Sequence, residues 1–327
     1  MKLVIVIYHR FSLWAAPDWF AERLKEKFSN LTVVNLKSYD DLERELPDTD
    51  ILMTWSIRSD QITHARKLRW IHSPAAAVHG LMIPEVINGN VIVTNARDVH
   101  GPVVAEHAIA LMFALSKRIP GAVRHQQKRE WSQEQLWGEH PHPREIRGAT
   151  LVVVGLGTIG REVARAAAAL GMRVIAVREN PQKGSGPAHE VVGFAQLDHV
   201  LPLADFVVLA APLTPETKTC FNAHRLAAMK RDAYLINVSR GALVDEPALI
   251  AALQSDSIGG AALDVFSEEP LPVSSPLWSL PNVLITPHSA ALTDKQWDRH
   301  YALFSENVRR FKSGEPLLNV VDKQKGY

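Results

Sequence analysis

The ten residues Leu151–Gly160, LVVVGLGTIG, followed by REVARAAAAL, constrain this 327-residue chain more than any other stretch. Four consecutive apolar residues read as a strand buried on both faces, as in a parallel sheet covered by helices. Gly155, Gly157 and Gly160 then supply the spacing G-x-G-x-x-G. Gly155 permits the tight turn out of the strand, Gly157 lets a pyrophosphate approach bare backbone, and Gly160 lets the next helix pack close to the strand. Val163, Ala166, Ala167 and Leu170 recur at helical spacing, so a helix is predicted after the loop. The N–H groups at its start would face phosphate charge. Strand, loop and helix in this order predict a dinucleotide site, the alternative being a tight turn with no ligand.

The length allows about two domains. Lys and Arg total 36 against 35 for Asp and Glu, so no basic excess points to nucleic acid or an anionic membrane. A single cysteine, Cys220, excludes an intrachain disulfide and a cysteine-only metal site, and it fits a cytoplasmic setting. Leu3–Tyr8 is apolar but short and lacks a small-residue cleavage site after it, so it reads as a first strand. No apolar run approaches the roughly 20 residues of a membrane span. His140 and His142 in EHPHPR have no third ligand at recognisable spacing, so no metal is expected.

Up to about residue 98, LVIVIY, LTVVNL, ILMTW and VIVTN alternate with helix-like segments such as Trp19–Phe28. This is an α/β unit with no glycine fingerprint of its own. The small-residue stretch IHSPAAAVHG between its later strands reads as a loop open to a ligand or as a close-packed turn. Val103–Ser116 is a predicted helix, with Val104, Ala108, Leu111, Met112 and Leu115 on one face; its His107 reads as a satisfied histidine. RVIAV, FVVLAA, YLINV, GGAALDV and NVLITPH join LVVV as six strands of a doubly wound sheet. Ligands of such sheets lie beyond the carboxyl ends of the strands, which selects Arg178, Pro212, Ser239–Gly241, Asp264 and His288. Thr293–Phe311 is the last predicted helix, opened by a capping box of Thr293 and Gln296. Its stripe of Trp297, Tyr301, Phe304, Val308 and Phe311 predicts packing on the first domain, with a cleft between the domains.

GLGTIG, APLTPET, INVSRGALVDE, ALDVFSEEPLP and TPH, in that order, resemble the D-isomer-specific 2-hydroxyacid dehydrogenases, and within them the glyoxylate/hydroxypyruvate reductase group. The resemblance covers nearly the whole chain. It implies two Rossmann-like doubly wound parallel-sheet domains: a flavodoxin-like substrate domain of residues 1–98 plus 290–327, and a dinucleotide-binding domain of residues 99–289. It further implies a catalytic trio at the matching positions Arg240, Glu269 and His288, Glu268 being the near miss. Reduction of a 2-keto acid needs a proton at the carbonyl oxygen as hydride reaches the carbon, and histidine can carry it near neutrality. Glu269 is expected to raise the His288 pKa, and Arg240 to hold the substrate carboxylate and polarise the carbonyl.

The resemblance assigns the substrate carboxylate also to the backbone of Ala76 and Ala77. Here the chain reads Ala77-Val78-His79 where the family usually has Gly, then Val or Ile, then Asp, which affects the tail of the preferred substrate. Ser289-Ala290-Ala291 likewise replaces a usual glycine. Cofactor contacts are implied for Gly155, Gly157, Thr158, Ile159, Gly160, Ala211, Pro212, Val238 and Ser239, with Asp264 as acceptor for the nicotinamide carboxamide. Arg178 stands where the family's NAD users carry Asp; an arginine suits a ribose 2′-phosphate, Lys183 would assist it, and Glu179 opposes it. NADP(H) is therefore favoured over NAD(H), and dimerisation through the cofactor domain, Val103–Ser116 contributing, follows by analogy. Phosphoglycerate dehydrogenase is the alternative activity; the chain ends soon after the last helix, with no room for the regulatory domain common there, though short forms lack it. Formate dehydrogenase fits less well, because Thr286 stands where it has Gln. A dinucleotide-sensing corepressor is the alternative of another class.

Overall fold

Apolar runs separated by helix-length connections build parallel sheets, because a parallel pair needs a crossover of a dozen or more residues. The computed structural model describes residues 1–9, 11–324 and 326, so that Arg10, Lys325 and Tyr327 lie outside it. Two compact units result: Met1–His100 with Leu292–Tyr327, and Gly101–Ala291.

The first unit holds a five-stranded sheet of β1 (Lys2–Val6), β2 (Thr32–Leu36), β3 (Ile51–Thr54), β4 (Trp70–Ser73) and β5 (Ile92–Asn95), in the order β2-β1-β3-β4-β5. All its pairs are parallel. Strand β4 corrects the sequence reading, which left IHS in a loop. It pairs on both sides and is buried throughout, so the enclosed polar residues His72 and Ser73 break the apolar pattern that a strand would show. The helix Gln296–Ser313 packs on this sheet through Trp297, Phe304 and Val308. Phe20 centres the contact, its ring 5.5 Å from Trp297 and 6.0 Å from Phe304. The expected capping box is absent. The helix starts at Gln296, and the Gln296 side chain donates instead to the Leu13 carbonyl at 3.2 Å, a tertiary bond that local sequence cannot announce.

Two buried histidines, His72 and His300, and a half-buried third, His100, make this unit acid-labile. Trp70 Nε1 donates to Thr94 Oγ1 at 2.8 Å, and His72 Nδ1 lies 2.8 Å from the same hydroxyl. Burial pushes His72 down to about 3. Burial, then the Arg299 charge, pushes His100 down to about 4. Burial first, then His100 and His72, holds His300 well below the ordinary range. These groups stay neutral in the fold but take protons in the unfolded chain once pH falls below about 6.5. Their contribution is therefore complete above that pH and is lost as pH falls, each by about 1.4 kcal/mol per pH unit. Carboxylates lowered by ion pairs, such as Glu45, act in a window below theirs. The urea midpoint should fall between pH 6.5 and 5, and less steeply in His72→Gln; a flat midpoint there would contradict the neutral rings.

The second unit holds β6 (Thr150–Val154), β7 (Arg173–Val177), β8 (Glu190–Val192), β9 (Phe206–Leu209), β10 (Tyr234–Asn237), β11 (Gly260–Leu263) and β12 (Val283–Ile285). The order β12-β11-β10-β9-β6-β7-β8 reverses direction between β6 and β9, the doubly wound arrangement. Leu151 and Val153 enter one core and Val152 and Val154 the other, which is why LVVV is apolar without alternation. Strand β8 is an addition to the six anticipated, three residues at the sheet edge and too short to stand out. The helix Thr158–Ala169 buries Gly160, Val163, Ala164 and Ala167, so Ala164 takes the inward place assigned to Ala166. Among the described residues no helix is long and apolar enough to cross a membrane.

Candidate active site

The glycine loop follows β6 at the reversal of strand order. Gly155 has φ 99°, and a Cβ there would lie 2.6 Å from Ala211 Cα; a Cβ at Gly160 would lie 1.9 Å from Gly155 O. Both glycines are thus required by the protein's own packing. Gly157 differs, since a Cβ there would meet no protein atom within 4 Å. It is also the N-cap of the helix Thr158–Ala169 and supplies no side-chain cap. An open approach over bare backbone at an uncapped helix start fits a dinucleotide pyrophosphate. The loop joins two further strand ends, because Ala211 packs on Gly155 and its carbonyl accepts a short bond from Ser239 Oγ. Pro212 and Val238 sit next to these residues in the chain.

Arg178 follows β7 directly: Gly155 N donates to Val177 O at 2.8 Å, which puts the arginine beside the glycine loop. Its Nη1 donates to Gly184 O at 3.3 Å, and among the described residues it has no acidic partner. Lys183 lies in the same turn, Pro181–Lys183, and Glu179 is exposed. Arg161, in the first turn of the helix Thr158–Ala169, lies against Gly186 of this loop. Sequence reading missed Arg161, because a charge in a helix's first turn reads as solvated surface.

Arg240, Glu269 and His288 follow the ends of the adjacent strands β10, β11 and β12. His288 Nδ1 lies 2.6 Å from Glu269 Oε2, and Glu269 Oε1 accepts the Phe266 N–H at 3.0 Å. Glu269 therefore has both oxygens engaged, while among the described residues Glu268 makes no such contact. The Arg240 loop joins this turn through Gly241, where a Cβ would overlap the Phe266 carbonyl carbon at 1.9 Å. Arg240 is exposed, with Nη1 tethered to Ser239 O at 2.7 Å.

His288 has φ 50°, a left-handed conformation that costs a non-glycine residue about 1–3 kcal/mol and persists only where its surroundings hold it. Asp264 does the holding. Its carbonyl accepts the His288 N–H at 2.8 Å. Carboxylate Oδ1 accepts Thr286 Oγ1–H at 2.6 Å and the Ser289 N–H at 2.8 Å, and Oδ2 accepts the Ala290 N–H at 3.0 Å. Asp264 is 1% exposed, and Oδ2, with one protein donor, keeps acceptor capacity. In the first unit, Ala76 follows β4 on an exposed turn whose carbonyl accepts Asn95 Nδ2–H at 2.7 Å. Among the described residues the N–H groups of Ala76 and Ala77 have no hydrogen-bond partner.

Residues 109–290 match the family model described as D-isomer specific 2-hydroxyacid dehydrogenase, NAD binding domain. The chain belongs to this family. The match contains the glycine loop, Arg240, Glu269 and His288 of this 2-hydroxyacid dehydrogenase family member, whereas Ala76 and Ala77 lie outside it. The family is one of oxidoreductases. A glyoxylate reductase of Pyrococcus furiosus is 35% identical over 300 residues, 86% of this chain and 88% of that one. The D-3-phosphoglycerate dehydrogenase of Methanocaldococcus jannaschii is 33% identical over 305 residues, 92% of this chain but 57% of that longer protein. Among solved structures, a D-isomer specific 2-hydroxyacid dehydrogenase from Xanthobacter autotrophicus Py2, in complex with NADPH and MES, superposes with TM-score 0.83 at 32% identity, covering 100% of this chain and 99% of that one.

Proposed function

We propose that this protein reduces a small 2-keto acid of the glyoxylate or hydroxypyruvate class to the D-2-hydroxy acid, with NADPH preferred to NADH. The observation that carries the reading is the 2.6 Å pair of His288 and Glu269, held at strand ends of the sheet that bears the glycine cradle. A reduced nicotinamide bound there supplies the hydride. A carboxylate oxygen only accepts, so Nδ1 of His288 carries the proton shared with Glu269, and Nε2 is left to deliver a proton to the substrate oxygen. The exposed guanidinium of Arg240 keeps N–H groups beyond its tether for the substrate carboxylate and carbonyl. The unpartnered N–H groups of Ala76 and Ala77 serve the carboxylate as well.

Thr158, Ile159 and the three glycines take the pyrophosphate, while Ala211, Pro212, Val238 and Ser239 line the neighbouring strand ends. Asp264 offers Oδ2 to the nicotinamide carboxamide. Arg178, with Lys183 in its turn, serves the 2′-phosphate, and the NADPH bound by the Xanthobacter autotrophicus protein supports that choice. A cytoplasmic homodimer, formed through the unit with the glycine loop, completes the reading; Trp131 and Trp137, both exposed, supply apolar surface for it.

A panel of 2-keto acids assayed with both reduced nicotinamides tests the activity. Glyoxylate or hydroxypyruvate with NADPH should give the highest kcat/KM. A maximum on 3-phosphohydroxypyruvate would favour the phosphoglycerate reading that the Methanocaldococcus jannaschii relative supports, and no turnover on any keto acid would end the proposal. Glu269→Gln replaces the carboxylate that accepts from His288 Nδ1, so kcat should fall about 10²-fold or more. An unchanged kcat would separate Glu269 from the proton transfer.

A further inference from the structure

We propose that His107 is a positioning residue for the reaction, acting through Thr286 on the backbone that presents His288. The proposal rests on the catalytic reading of His288 given above. His107 projects from the helix Gly101–Ser116, half-buried, with Nε2 3.0 Å from Thr286 Oγ1 and 3.6 Å from Asp264 Oδ1. A threonine hydroxyl has one proton to give. At 2.6 Å from Asp264 Oδ1, that proton goes to the carboxylate, so the hydroxyl accepts from His107 and the His107 proton sits on Nε2. The chain of donors runs from His107 to Thr286 to Asp264, and Asp264 takes the N–H groups of His288, Ser289 and Ala290 through its carbonyl and carboxylate.

The arrangement solves a mechanical problem. His288 sits at φ 50° between Pro287 and two small residues, and within its own segment its N–H reaches only the Thr286 carbonyl, at 3.0 Å. Asp264 captures the segment from the neighbouring strand end, its Oδ1 shared between the Thr286 hydroxyl and the Ser289 N–H. Without a donor from the other side that hydroxyl is held by Asp264 alone. His107 is the donor, and it touches neither His288 nor Glu269. It therefore acts on where the His288 ring stands, and misplacement by about 1 Å is enough to cost a reaction on the order of 10²-fold.

The test compares His107→Phe, which keeps a ring and loses the donor, with His107→Gln, whose side-chain N–H can replace it. Activity is expressed per NADPH-binding site, counted by fluorescence titration, so that unfolded protein is not scored. His107→Phe should lower kcat about 10- to 100-fold with the KM for NADPH unchanged, and His107→Gln should restore it to within about threefold of the wild type. Thr286→Val should match His107→Phe, and the double variant should fall little further, because both break one chain. A His107→Phe kcat equal to the wild type, or fully multiplicative losses in the double variant, would overturn the proposal. Amide exchange of the 286–291 segment, followed by mass spectrometry without substrate, should be faster in His107→Phe. If the wild type reduces no keto acid, the activity proposal falls, and exchange alone decides this one: equal rates would refute it.

Discussion

His288→Gln should lower the reductive kcat by about 10²- to 10⁴-fold, the range of a general acid's contribution, while NADPH still binds. Glutamine can accept from or donate to neighbours but cannot carry a proton through the reaction near neutrality. The carbonyl oxygen would then have to take its proton from water while charge builds on it. Binding is spared because the ring lies past β12, whereas the cradle is formed by Gly155, Gly157 and Gly160 after β6. The measurement is a single-turnover rate beside a fluorescence titration with NADPH. A rate within tenfold of the wild type would remove His288 from the role of acid, and loss of binding would mean that the substitution disturbed the β12 end instead.

Arg178→Asp should move the ratio of kcat/KM for NADPH over NADH by about 10²-fold or more toward NADH, because hydrogen bonds to a charged group contribute about 1.5–3 kcal/mol and the new carboxylate adds repulsion. The arginine stands one residue beyond the carbonyl that receives the Gly155 N–H. An aspartate there would accept from a 2′-hydroxyl. Arg161 and Lys183, on either side of the same loop, remain in the variant. They should therefore leave some affinity for NADPH rather than none. An unchanged ratio would show that Arg178 does not meet the 2′ position.

Local pattern carried much of the fold. LVVV, YLIN and GAAL are buried strands with short apolar spelling, and the glycine spacing at 155, 157 and 160 announced the loop that follows β6. Strand β4 escaped because His72 and Ser73 are polar yet enclosed between two neighbours. The capping box at Thr293 was a false signal for a related reason: Gln296 found a better partner, Leu13 O, 283 residues away in the chain. His107 read as an ordinary satisfied histidine, and it is satisfied, but by Thr286, 179 residues away.

The linear order of residues determined which side chains follow each strand: an arginine after one, an acid after the next, a histidine after the third, and a bare glycine turn after β6. It could do so because strand periodicity and turn sterics act over a few neighbouring residues. Which groups touch was decided only by the tertiary structure. Glu269 rather than Glu268 meets His288, and Asp264 holds the histidine's backbone in a left-handed turn. Such contacts join strand ends some 20 residues or more apart, and they depend on the order in which the strands are laid side by side.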